Sequence, residues 1–194
     1  MIESMFPTLI YREVLSGYDN KLISNYAEEI KSKYPTNHKW RCNTYSTYSN
    51  GGYEMIKDNY FNSLITDIGT RVREFSQSYG MGAACSVQPT DSWINIAQQG
   101  SYQEYHVHEA NHFSAVYYVK TPEDCGDICF KSHESNSDMF PLTPRELNGN
   151  TFKTMAYKAI ESTLLIFRSN LQHMVEINNS TETRISISMN FVVR

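Results

Sequence analysis

Beyond Gly82 the apolar residues no longer recur at helical spacing; they alternate with polar ones in short runs cut by Gly, Pro, Asn, Asp and Ser. A period of two marks strands with one buried face, and many such short runs confine a chain to sandwiches, barrels or jelly rolls. Strands are expected near Ser86–Gln88, Trp93–Gln98, Tyr102–His108, Phe113–Lys120, Asp127–Lys131, Thr151–Tyr157, Thr163–Phe167, His173–Ile177 and Thr183–Val193. The polar stretch 132–149 reads as a long loop and a candidate lid.

The residues before Gly82 carry a different period. Asp19 is placed to cap a helix running to about Lys33, with Leu22, Ile23, Tyr26 and Ile30 on one face and Pro35 as its stop. A second helix is expected from about Asp58 to Tyr79, where Phe61, Leu64, Ile65, Ile68, Val72 and Phe75 keep helical spacing until Gly80 and Gly82. Between them, residues 35–53 read as a loop. The 194 residues suit a single domain, 1–194, in which 1–82 is helical support and 83–194 a jelly-roll core. The expected fold class is therefore mainly β: a double-sheet jelly roll braced on one sheet by two N-terminal helices.

Composition narrows the function classes. Fourteen tyrosines suit a β-rich protein, because aromatic side chains fit a pleated, half-buried surface. A net charge of −4 without a Lys/Arg cluster argues against a nucleic-acid partner, whose affinity comes largely from phosphate neutralisation. Uninterrupted apolar runs are only a handful of residues, as in Leu164–Phe167, whereas a membrane span needs about 20 residues. No basic start followed by an apolar run is visible at Met1–Pro7. Cys42, Cys85, Cys125 and Cys129 lack the spacing of a zinc or redox motif, so all four are expected reduced, in a cytoplasmic protein.

Chemistry concentrates in three places. His106 and His108 flank Val107 on an expected strand, so they project from one side about 6–7 Å apart at Cα. Two imidazoles so placed can converge on iron, zinc, copper or nickel, although an isolated His-x-His is more often a surface pair. His173 follows an apolar strand and a short turn, which would set a third imidazole at a barrel mouth. Thr183–Phe191 then alternates Arg184, Ser186, Ser188 and Asn190 with Ile185, Ile187, Met189 and Phe191. The apolar face must pack on a core, so the polar face lines solvent or a wet cavity. A guanidinium with a hydroxyl two residues on is suited to a carboxylate.

His-x-His, a distant His and Arg184-x-Ser186, in that order, resemble the double-stranded β-helix (cupin-like) 2-oxoglutarate/iron(II) oxygenases. Trp93-Ile94-Asn95-Ile96, His106-Val107-His108-Glu109, Ser114–Val119 and Arg184–Asn190 are similar, more narrowly, to a bacterial and phage group of these enzymes. The resemblance spans roughly residues 90–193. It implies an iron(II) dioxygenase that consumes 2-oxoglutarate (2OG) and O2, hydroxylates a small-molecule or peptide substrate, and releases succinate and CO2. It implies that His106, His108 and His173 bind the metal and carry catalysis, and that Arg184, helped by Ser186, binds the distal carboxylate of 2OG. Asn95 resembles an asparagine that touches the cosubstrate in AlkB-type demethylases. The tyrosine expected two residues further on is replaced by Ala97, so Tyr117 or Tyr118 would supply a phenol; Tyr117 is taken here, and alternation lets only one face inward.

The usual site of the superfamily is two histidines and a carboxylate. Here His108 stands where the carboxylate would be, and the adjacent Glu109 should face the other way. Three neutral imidazoles leave the metal more positive by one charge. Two other readings remain open at this level: a cupin-like metalloenzyme that does not use 2OG, and a non-catalytic jelly-roll binding or virion-associated module. His112 reads as a turn residue and His133 as solvated; Trp40, Arg41, Asn43, Tyr45 and Tyr48 read as an aromatic packing loop or a substrate entrance.

Overall fold

A computed structural model describes residues 2, 5–35, 44–49, 52–133 and 143–194. Asp19 does cap the first helix: its side chain accepts from the Leu22 N–H at 3.1 Å, and α1 runs Asn20–Lys33. Ile23, Ala27 and Ile30, spaced by one turn, form its buried face. The second helix begins later than its apolar spacing suggests. Asp58 caps a 3-10 turn, Asn59–Phe61, by accepting from the Tyr60 N–H, and α2 follows over Asn62–Gln77. It closes at Gly80, whose φ of +80° is costly for any residue with a Cβ.

Ten strands are present among the described residues: β1 (Ile10–Val14), β2 (Thr44–Ser46), β3 (Val87–Ala97), β4 (Gln103–His106), β5 (Phe113–Lys120), β6 (Ile128–Lys131), β7 (Thr154–Tyr157), β8 (Thr163–Arg168), β9 (His173–Val175) and β10 (Arg184–Val193). They form a six-stranded sheet, β1-β8-β5-β10-β3-β2, and a four-stranded sheet, β4-β9-β6-β7. The jelly roll expected from the alternation is therefore present, and the two helices pack on the outer face of the larger sheet.

The division at residue 82 is less clean than the sequence suggests. β1 and β2 arise in the first part and complete the larger sheet at its two edges, β1 against β8 and β2 against β3. β2 has only three residues and the five of β1, Ile10-Tyr11-Arg12-Glu13-Val14, do not alternate, so only pairing reveals them. The expected strands at Ser86–Gln88 and Trp93–Gln98 are one continuous β3. Its Pro89 lies at a bulge, where the β10 register steps from Asn190↔Asp91 to Phe191↔Pro89. A bulge is a place where a strand tolerates a residue with no N–H to donate.

Two apolar layers result. One packs α1 and α2 onto the outer face of the large sheet through Ile68, Val72, Ile94, Ile96, Tyr117, Ile187, Met189 and Phe191. The other lies between the sheets and is smaller: Val116, Tyr118, Cys125, Ile128, Phe130, Leu165, Phe167 and Leu171. The inter-sheet space that these leave unfilled is the candidate site. No helix is long and apolar enough to cross a membrane, among the described residues.

Candidate metal centre

β4 and β9 pair antiparallel so that His106 stands directly opposite His173. β4 ends at His106, and His108 lies beyond it, held by its own N–H donating to the Ser169 carbonyl at 2.9 Å. The three rings converge: centroids are 4.3 Å apart for His106–His173, 5.1 Å for His108–His173 and 5.2 Å for His106–His108. One nitrogen from each lies within 4.8 Å of the others.

Each ring is oriented by its other nitrogen. His106 Nδ1–H donates to the Glu104 carbonyl at 2.7 Å and His173 Nδ1–H to the Leu171 carbonyl at 2.8 Å. A carbonyl can only accept, so both rings carry the proton on Nδ1 and turn the Nε2 lone pair inward. His108 Nδ1–H meets the Asn190 Oδ1 at 2.7 Å and lies 2.9 Å from the Ser114 Oγ. Ser114 in turn donates to Asn190 Oδ1 and lies 2.8 Å from the Ser169 Oγ, both hydroxyls fully buried. Burial lowers the pKa of all three histidines, and that of His173 to about 3. They are neutral at ordinary pH and present lone pairs, which is the state a metal requires. Among the described residues, no other group of three or more potential ligands converges in this way.

The floor beside the triad is β10 and its neighbours. Arg184, Ser186, Ser188 and Asn190 all line a cavity of about 670 Å3, while Ile185, Ile187, Met189 and Phe191 enter the helix-side core. Across from Ser186 stands Asn95, whose Nδ2 donates to Ser188 Oγ at 3.1 Å, and both line the same cavity. Arg184 is 6% exposed, and its guanidinium donates to the carbonyls of Cys125 and Gly126. Among the described residues it pairs with no carboxylate. Gly126 can only be glycine there: a Cβ would come within 2.5 Å of the Glu176 carbonyl oxygen.

One expected contact needs correction. Tyr117 does not face the cavity; it lies in the helix-side core and its hydroxyl donates to Asn20 Oδ1 at 2.8 Å. Alternation along β5 turns Tyr118 inward instead, and Tyr118 lines the cavity. Sequence reasoning also missed Ser114 and Ser169. Their signal is faint, since a lone serine in an apolar strand, or in the turn after one, marks nothing until its partner is known. Glu109 is exposed at the cavity rim, outside the triad. His112 is a turn residue whose Nδ1 accepts from the Val193 N–H, and His133 is exposed. Tyr45 is buried and donates to the Tyr34 carbonyl, whereas Tyr48 lines the mouth; Trp40, Arg41 and Asn43 lie outside the described residues. The centre of the lid expected at 132–149, residues 134–142, lies outside them too.

The same fold recurs in solved structures. A prolyl-4-hydroxylase from Pseudomonas putida is similar over 96% of this chain and 94% of its own, at 11% identity and a TM-score of 0.63. A viral collagen prolyl hydroxylase from Paramecium bursaria Chlorella virus-1, solved with 2OG, is similar over 94% of both chains, at 16% identity and a TM-score of 0.57. The chain spans 56% of the length of an oxidoreductase of the 2OG-Fe(II) oxygenase family from Burkholderia pseudomallei; that match covers 67% of this chain at 15% identity and a TM-score of 0.49. No curated protein matches in sequence. A family model described as "Putative 2OG-Fe(II) oxygenase" matches residues 91–190, which take in His106, His108, His173, Arg184 and Ser186. On that match, over more than half of its length, the chain belongs to the 2OG-Fe(II) oxygenase family.

Proposed function

We propose that this oxygenase hydroxylates its substrate with 2OG as cosubstrate, that His106, His108 and His173 hold the iron, and that Arg184 with Ser186 binds the distal carboxylate. The observation that carries the reading is Arg184. A guanidinium taken out of water without a carboxylate is costly, and two backbone carbonyls return only part of its hydration. An incoming carboxylate supplies the missing charge and a bidentate acceptor in one step.

The donor set fits the metal. Three neutral imidazoles with fixed tautomers suit a divalent first-row ion, and Asn190, Ser114 and the two carbonyls keep them turned inward. Iron, when bound, supplies the activation of O2 that couples decarboxylation of 2OG to oxidation of the substrate. The chain's own part is positional. Arg184 anchors one end of the cosubstrate, Asn95 and Ser188 offer polar contacts along its length, and Val116, Ile128, Phe167 and Val175 keep that end of the cavity dry. The membership of the chain replaces the two other readings, the 2OG-independent cupin-like enzyme and the non-catalytic module.

Metal analysis and calorimetry test the assignment. Wild-type protein should take up one iron per chain and then bind 2OG without oxygen. His173→Ala, or His106→Ala with His108→Ala, should lose the iron. Full iron occupancy in those variants refutes the ligand set; no 2OG binding by the iron-loaded wild type refutes the cosubstrate.

A further inference from the structure

We propose that the substrate of this cavity carries a cationic group, an ammonium or guanidinium on an aliphatic chain, received at the mouth by Asp91 and Glu109 beside the Tyr48–Trp93 aromatic wall. The inference rests on the proposed function for what happens beside the triad, but the cation site itself stands on the shape and charge of the cavity.

The cavity is electrically polarised along β10. Arg184 and Asn190 are six residues apart on that strand, about 20 Å, and Asn190 pairs with Asp91 on β3. Among the described residues the charged side chains lining the cavity are Arg184 near the buried end and Asp91 and Glu109 near the open end. At the mouth Glu109 is exposed and Tyr48 is 59% exposed, while Asp91 is half-buried above Asn190. With Arg184 committed to a carboxylate, the remaining formal charge in the cavity is negative. Neither the Asp91 nor the Glu109 carboxylate has a hydrogen-bond or ion-pair partner among the described residues, although cations elsewhere on the surface are paired, as Lys120 is with Glu182.

The wall beside them is aromatic. Trp93 shares a face of β3 with Asp91, and its ring lies 4.9 Å from that of Tyr48 and 5.5 Å from that of His108. Trp93 is 9% exposed, lines the cavity, and its indole N–H meets no acceptor among the described residues. An indole face beside an unpaired carboxylate binds an organic cation through its quadrupole and through charge, and binds an anion through neither. The placement is useful as well. Asn190, opposite Asp91, also holds His108, so a cation seated at Asp91 sets the carbons next to it near the triad.

Calorimetry on metal-free protein without 2OG tests the cation site independently of the oxygenase reading. The probes are blocked lysine (Nα-acetyl-lysine methylamide), the corresponding arginine, neutral norleucine and anionic glutamate amides, and free lysine. Blocked lysine or arginine should bind at least tenfold more tightly than norleucine, and any binding of glutamate, which Arg184 can receive while 2OG is absent, should not weaken when the two carboxylates are neutralised. In the near-isosteric Asp91→Asn/Glu109→Gln double variant, checked for an unchanged melting profile, that margin should fall below threefold. Free lysine matching the blocked form identifies a small-molecule source, and a clear preference for the blocked form identifies a peptide. Equal binding of norleucine, a margin that survives the double variant, or no binding of either cationic probe overturns the proposal. Cation selectivity in a protein that fails to bind 2OG would leave this inference standing and remove the oxygenase one.

Discussion

Replacing Arg184 by Gln separates a cosubstrate clamp from a structural cation. The side chain is 6% exposed and makes two hydrogen bonds, both to carbonyls of the Cys125-Gly126 turn. Gln can restore one of these, so the loss on the structural side is a charge-assisted bond worth about 1.5–3 kcal/mol. Removing an unpaired charge from a buried position offsets much of that, because its desolvation disappears with it. The unliganded variant should therefore unfold within about 2 kcal/mol of wild type. Cosubstrate binding has no such compensation: a carboxylate entering the variant is desolvated and meets no charge. The expected cost is about 2–5 kcal/mol, or about thirtyfold to several thousandfold in 2OG affinity. Anaerobic calorimetry on iron-loaded protein reads the affinity, and denaturant unfolding reads the stability. Iron content should be unchanged, since the histidines lie on other segments. Wild-type affinity for 2OG in the variant would show that β10 is not the clamp, and a collapse of stability with no selective loss of 2OG would make Arg184 structural.

Asn190→Ala removes the acceptor that holds His108 Nδ1–H and should weaken iron binding by about 10- to 100-fold, read by competition with a chelator; unchanged affinity would leave Asn190 no orienting role. Asp58 is raised by burial but lowered further by hydrogen bonds from the Tyr60 N–H and the Tyr26 and Tyr53 hydroxyls, so its folded pKa lies below the ordinary carboxylate value. Its contribution is complete above the unfolded pKa and fades as pH falls through the folded one, so Asp58→Asn should be destabilised near neutrality and converge on wild type in strong acid; parallel stability curves would contradict this. Cys85, Cys125 and Cys129 are free, and burial pushes the Cys129 thiol up to about 11. Cys125 and Cys129 should resist a thiol reagent in the folded protein and react on unfolding, and prompt reaction of Cys125 would show that the inter-sheet layer opens.

The class of fold was legible because its signal is local. Alternation in Thr183–Val193 and the short apolar runs of Phe113–Lys120 and Thr163–Phe167 mark strands wherever they pair, and the helical spacing of Ile23 and Ile30 marks a buried helix face, to which the structure adds Ala27 while leaving Leu22 exposed. The same alternation put Arg184, Ser186, Ser188 and Asn190 on one face before any partner was known. It could not say whether that face meets solvent or a cavity, since that depends on β4 and β9 forming the second sheet.

What the chain left undecided locally was settled by pairing. β1 does not alternate and β2 is only three residues long, and β3 looked broken at Pro89 because a bulge is visible only against β10. Tyr117 and Tyr118 are chemically equivalent neighbours, and the choice between them depends on which face of β5 the helices cover. The network of Ser114, Ser169 and Asn190 joins residues from β5, the β8–β9 turn and β10, which no spacing along the chain relates. Residue type and period thus determined which side chains could do chemistry. Register between distant strands decided which of them meet, because a face of a strand acquires a meaning only from what is packed against it.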